Sequence, residues 1–290
     1  MKKDYFCRGK NKSQKFIMNN QNHILMSYNK FRSDVIEHLA SSYNKWGAGF
    51  FKGKKYSHIA NIEGKNKKDI IEQILNEDGV ESDLLDPKKI HKYAHHLNSS
   101  QIVCYEFFRP LINDVHTRDK VLGKMNIPSS SFAKLKDFEF ERISDLKDGT
   151  TFDFSLSSNE NCNLRVEVKY TEQGFGTCKD DQQHRDKFKE IYKEPIRTSF
   201  CIKDYKKGDI EFPEMRKYYQ LFRNVLDIKN PTDYVVFLFP RENSIAKYQF
   251  EDFRDNYLSE EGHEHVKGVY WEDLAEFMSE NFRNKFFFYL

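Results

Sequence analysis

The sequence has no long apolar run: the longest, YVVFLF at 234–239 and FFFYL at 286–290, are brief. Crossing a bilayer takes roughly 20 consecutive apolar residues, so no membrane partner is expected. No apolar segment follows the charged N-terminus MKKDYFCRGKNKSQ, so no secretory signal is expected either. Paired-cysteine motifs are missing too. Cys7, Cys104, Cys162, Cys178 and Cys201 are odd in number, widely spaced and without a C-x-x-C. This reads as free thiols in a reducing, cytoplasmic compartment, and it leaves no zinc-ligand spacing. The HExxH glutamate is lacking, so His91 and His95, spaced i, i+4, read as solvent-facing side chains. Gly174 and Gly176 flank Phe175 with neither GK[ST] nor a dinucleotide fingerprint nearby. There is no internal repeat and no low-complexity linker.

Aromatic residues are plentiful. With 26 Phe and 16 Tyr the chain can build a core although 32% of its residues are charged. Trp46 and Trp271 are expected to pack rather than stack on bases. Net charge is only +2, but residues 1–70 carry 15 Lys and Arg against 5 Asp and Glu. The clusters at Lys52, Lys54, Lys55 and Lys65, Lys67, Lys68 can attract phosphates, and aromatics are interleaved in YNKWGAGFFKGKKY. Equally, such runs serve as a solubilising surface, and composition alone does not choose.

The spacing of Phe31, Val35, Ile36 and Leu39 predicts a helix from about 27 to 43. The glycines of GAGFFKGKKYSHIANIEG predict irregular chain. KKDIIEQILNEDG predicts a helix ending at Asp78–Gly79, and KKIHKYAHHL a short His-rich helix. SSQIVCYEFFRPLI predicts a helix bent or ended by Pro110. Strands are expected at 138–143, 150–157 and 163–171, forming a meander. A partly helical charged segment, a helix over 214–228, a buried strand over 233–240 and a strand–helix end follow. This order fits a mixed α/β sheet flanked by helices, with a basic, mainly helical N-terminal region at 1–96 and a main domain at 97–290.

Chemistry concentrates in TTFDFSLSSNENCNLRVEVKYTEQGFG. Alternate residues of a strand share a face. Phe152 and Phe154 therefore point one way and Asp153 the other. On the partner strand Leu164, Val166 and Val168 face the core, leaving Arg165, Glu167 and Lys169 opposite. A hairpin through SSNENCN brings Asp153 beside Glu167 and Lys169. Two carboxylates and an ammonium on one patch can hold Mg²⁺ and polarise a phosphate. The same residues also fit a solvated sheet face carrying a Glu–Lys pair.

The arrangement D-x13-EVK resembles the PD-(D/E)XK nuclease superfamily, whose fold is restriction-endonuclease-like. The ordered segments SSQIVCYEFFRPL, FEFER, EVKYTEQGFG, YYQLFRN and YVVFLFP are similar to a group of bacterial restriction-endonuclease-like proteins, over about residues 97–280. The resemblance implies that Asp153 and Glu167 bind the catalytic metal, Val168 lends its carbonyl, and Lys169 serves the attacking water. Phe152 stands where the pattern has Pro. A Glu on the preceding helix often joins such sites, which makes Glu106 the candidate, with Glu139 and Glu141 as rivals and Gln220 as a further neighbour. Also implied are Mg²⁺, with Mn²⁺ as a substitute, double-stranded DNA as partner, 5′-phosphate ends and a methyltransferase in the same system. One active site per chain favours a C2 homodimer for double-strand cutting, with monomers cutting sequentially as the alternative. A restriction-type or phage-defence endonuclease is the first expectation. The alternatives are a non-catalytic DNA-binding or assembly module, or a repair or transposition nuclease acting on branched DNA or RNA.

Overall fold

The computed structural model describes residues 5–290 other than 78, 85 and 147, with side chains described from residue 22 onward. Strands β1 (Ala48–Phe51) and β2 (Lys54–Ala60) form a hairpin. Strands β3 (Leu135–Ile143), β4 (Thr151–Ser158), β5 (Asn163–Val168), β6 (Asp233–Phe239) and β7 (Val266–Tyr270) form one sheet in that order. The β3–β4–β5 half is antiparallel and the β5–β6–β7 half parallel. The first helices are α1 (Tyr5–Ser42), α2 (Lys67–Glu77), α3 (Ser100–Asn113) and α4 (Val115–Lys124). Between β5 and β6 lie α5 (Gln182–Lys187), α6 (Lys193–Thr198), α7 (Asp204–Lys207), α8 (Phe212–Lys217) and α9 (Tyr219–Val225). The remaining helices are α10 (Ser244–Tyr257), α11 (Glu260–His265) and α12 (Glu280–Phe286).

Helices cover both faces of the sheet, and β6 shows why its sequence is continuously apolar. Val236 and Leu238 enter one core with α1, α2, α3, α4 and α12, while Val235, Phe237 and Phe239 enter a second core with α8, α9 and α10. A strand buried on both faces has no polar side to alternate with. Phe31, Val35 and Leu39 of α1 and Ile70, Ile71 and Ile74 of α2 belong to the first core, together with Phe154 and Val166 of the sheet. From Phe31 onward the N-terminal region is therefore packed onto the sheet.

Several local expectations change. The glycine-rich segment is the β1–β2 hairpin, turned at Lys52 (φ 48°) and Gly53 (φ 75°). Positive φ at both central residues is the turn that matches strand twist, so these residues close a hairpin rather than loosen a loop. KKIHKYAHHL is not a helix. It runs along β2, where Leu97 N–H bonds the His58 carbonyl and Ala60 N–H the His95 carbonyl, each at 3.0 Å. The helix over 214–228 is broken at Tyr218 (φ −120°, ψ 37°) into α8 and α9. Pro110 sits inside α3 and the helix continues to Asn113. Gly79 has φ 73°, with Val80 N–H closing on the Leu75 carbonyl at 2.9 Å, as a helix C-cap requires; Asp78 lies outside the described residues. Among the described residues no helix is long and apolar enough to cross a membrane.

Candidate active site

The site forms where the sheet loses its regular pairing. β4 and β5 pair from Ser157↔Asn163 to Phe154↔Val166 and then part. One step beyond, Asp153 and Glu167 stand opposite each other, and Asp153 Oδ2 accepts the Val168 N–H at 2.6 Å. A side chain thus satisfies an amide that the ladder no longer serves. On the other edge of β4, the pairs Phe140↔Phe154 and Arg142↔Phe152 bracket Glu141 and Asp153, and Glu141 has φ 53°. Alternation breaks here. Phe154 enters the first core and Phe152 the second, so the expectation that they share a face is corrected.

Beyond β5, Lys169 folds back on Glu167, with Nζ donating to Oε1 at 2.6 Å. Glu167 is buried, and α9 supplies two further donors. Gln220 Nε2 bonds Glu167 Oε1, and Asn224 Nδ2 bonds Oε2 at 2.9 Å. The two amides lie one helical turn apart, so a single face of α9 grips both carboxylate oxygens. Arg165, two residues earlier on the same strand face, is taken up elsewhere. It pairs with the buried Asp227 and with Asp145, at 2.7 Å for the latter. Asp227 in turn accepts from Ser144 Oγ at 2.9 Å and Asp145 N–H at 2.8 Å, which anchors the β3–β4 connection.

Charge inside the site is unbalanced. Burial pushes the Asp153 carboxyl well above the usual carboxylate range, and Glu167 and Glu141 add to the rise while Lys169 and the Val168 N–H oppose it. Glu141 is also raised, first by burial, then by Glu167, against hydrogen bonds from Thr151 and Gln101 and the charge of Lys89. For Lys169, burial favours the neutral amine, but Glu167, Asp153 and Glu172 outweigh it and its pKa is raised. Lys169 is therefore an ammonium, a source of positive charge and donors rather than a proton acceptor.

These groups floor a cleft of about 590 Å³. Arg32 of α1 and Arg223 of α9 stand on its walls, with Gln101 at the start of α3 and His91 and His96 on the segment along β2. Burial and neighbouring histidines lower His96 to about 4, so the His wall is neutral at neutral pH. Among the described residues no three His, Cys, Asp or Glu side chains are grouped to cage a metal. The donors fit a different kind of site. Mg²⁺ is commonly held by one or two carboxylates with water completing its shell, and here two facing carboxylates lie in an acid-rich cleft. Because one strand residue directs its N–H and C=O toward the same neighbour, the Val168 carbonyl faces the β4 side as its amide does.

Other candidate residues fall differently. Glu106 is not brought to the cleft. It is buried on the far side of α3 and pairs with Lys285 of α12 at 2.8 Å. Glu139 pairs with Lys89 outside the cleft. Glu141 and Gln220 are brought in. None of Lys52, Lys54, Lys55, Lys65, Lys67 and Lys68 lines the cleft. Lys67 bonds the His91 carbonyl at 3.2 Å and Lys68 pairs with Glu72 at 3.1 Å. His95 is buried, not solvent-facing, while His91 is exposed. Cys104, Cys162, Cys178 and Cys201 are free and buried, and the side chain of Cys7 lies outside those described. Trp271 is in the first core and Trp46 packs against it. Asn224, Gln101 and Thr151 were missed. Only Asn224 left a trace in the sequence, as the i+4 partner of Gln220.

A mixed sheet between two helical layers, with an Asp-Glu-Lys group where its central strands part, defines a restriction-endonuclease-like α/β protein. Over residues 22–287 the chain matches the family REase-ARP, described as Restriction Endonuclease associating with ARP, and it belongs to that family. No curated protein and no solved structure matches the sequence.

Proposed function

We propose that this protein is a Mg²⁺-dependent endonuclease of restriction or phage-defence type that hydrolyses phosphodiester bonds in double-stranded DNA. The observation that carries the reading is the convergence of Asp153, Glu167 and Lys169 in one cleft, at the point where β4 and β5 separate. Membership of a restriction-endonuclease family supports a nuclease role. Asp153 and Glu167, with the Val168 carbonyl, would hold the cation. When bound, the cation polarises the scissile phosphate and lowers the pKa of a water.

The chain's own groups do the rest. Lys169, held charged against Glu167, offers donors to a phosphate oxygen and offsets the negative charge that develops on it. Gln220 and Asn224 fix the Glu167 carboxylate so that it need not reorganise. Arg32 and Arg223 on the cleft walls offer guanidinium forks to flanking phosphates.

Incubation with plasmid, linear duplex, single-stranded DNA and RNA, with Mg²⁺ or EDTA, tests the reading, with the ends sequenced. Cleavage of duplex DNA only with Mg²⁺, leaving 5′-phosphates, supports it. Absence of cleavage on every substrate by folded protein refutes it, and RNA-only cleavage refutes the DNA assignment.

A further inference from the structure

Glu141 is the outlier of the sheet. It sits within β3 with φ 53°, a left-handed conformation that is strained for a residue with a side chain. Such strain persists where surrounding contacts over-determine it. Here the side chain is fixed twice, accepting from Gln101 Nε2 at 2.7 Å and from Thr151 Oγ1 at 2.9 Å. Both donors line the cleft, and register places Glu141 across from Asp153. A turn or bulge that merely needed positive φ is met by glycine at no steric cost, and glycine would bring no third carboxylate to a floor already holding two.

We propose that Glu141 is a working member of the site: the strained strand holds a third carboxylate beside Asp153 and Glu167 so that its charge strengthens binding of a divalent cation in the cleft. This rests on the nuclease reading and deepens it. Glu141 acts through the field it adds, as a positioning residue, and Gln101 takes a role at the N-terminal end of α3 by orienting it. The rival account is structural, with Glu141 simply a hydrogen-bonding hub that joins α3 to β3 and β4.

Mn²⁺ binding to the full chain, followed by calorimetry or by the free-Mn²⁺ electron paramagnetic resonance signal, separates the two, paired with thermal melting in EDTA. Glu141→Gln keeps the shape and one of the two acceptor oxygens, its NH2 facing the rotatable Thr151 hydroxyl, but removes the charge, whereas Glu141→Asp keeps the charge and shortens the reach. The expected result is a Kd weakened about tenfold in the Gln variant and largely retained in Asp, of the order seen when groups supporting a metal site are lost. The metal-free Gln variant is expected to melt no lower than wild type, because removing the Glu141 charge relieves its repulsion with Glu167 and Asp153. Wild-type affinity in Glu141→Gln overturns the proposal. So does equal weakening in both variants, which is what a structural hub predicts. Failure of the wild-type chain to bind Mn²⁺ overturns the proposal and the metal-dependent reading together. A wild-type chain that binds Mn²⁺ and cleaves beside an unaffected Glu141→Gln overturns this inference alone.

Discussion

Asp153→Asn should separate the site's contribution to chemistry from its contribution to stability. The Asn side-chain oxygen can still accept the Val168 N–H, so the bond that replaces the ladder survives while the charge is lost. Asp153 is raised by burial and by Glu167 and Glu141. The folded protein therefore holds a proton that the unfolded chain gives up, and its stability falls as pH rises from the ordinary carboxylate range through the folded value. Above the ordinary carboxylate range, keeping Asp153 in the metal-free folded site is thus a net cost, whether the group is held protonated or ionised. Relieving such a strained functional site commonly adds about 0.5–2 kcal/mol. For a chain of this size that is a Tm increase of roughly 1–3 °C. Melts in EDTA at pH 5 and pH 8 check it, and the gap between variant and wild type should widen at pH 8. Mg²⁺ at a hundred times its Kd should add about 2.7 kcal/mol to wild type and nothing comparable to Asp153→Asn. Identical melts at both pH values, or equal Mg²⁺ stabilisation of both proteins, refute the reasoning.

Lys169→Ala should abolish Mg²⁺-dependent plasmid cleavage while circular dichroism remains native; undiminished cleavage removes Lys169 from the chemistry. Gln220→Ala removes one of the two donors on Glu167 Oε1 and Asn224→Ala releases Oε2, so kcat should fall about 10–100-fold with little change in melting, measured under single-turnover conditions. Lys285→Met breaks the buried pair with Glu106 and should cost about 3–5 kcal/mol in urea unfolding. Cleavage per folded molecule should stay at wild-type level, and loss of cleavage without loss of stability would return Glu106 to the site.

The legible part of the site was the part that strand periodicity controls. Asp153, Glu167 and Lys169 alternate with buried apolar residues, and a short antiparallel connection must bring opposed residues to one face. Gln220 came only from the family resemblance, and its target, Glu167, was not readable. Asn224 could have been found by asking which residue shares its helical face. Glu141 could not be ranked above Glu139, because sequence does not encode that one residue of β3 adopts positive φ. Nor did periodicity show that Phe152 and Phe154 part company, since that follows from the same local break. The hairpin at 48–60 was misread because its glycines signal turns and loose chain alike. Only its pairing partners distinguish them, and the His-rich segment that caps its edge lies more than thirty residues downstream.

Helical phase explains why the glutamate nearest in sequence is the wrong one. Successive residues of an α-helix point 100° apart, with 3.6 residues per turn. On α3, Gln101 and Tyr105 are one turn apart and share the side that meets β3. Gln101 reaches Glu141, and the Tyr105 ring lies 4.6 Å from that of Phe140. Glu106, the next residue, is rotated off that side onto Lys285. The face of α3 toward the cleft therefore presents an amide, not an acid. The third carboxylate, on the proposed reading, comes instead from the sheet, where the β3–β4 register sets Glu141 across from Asp153. On the proposed reading the two observations explain each other: a neutral donor on the helix requires an acceptor on the strand, and the strained Glu141 is that acceptor.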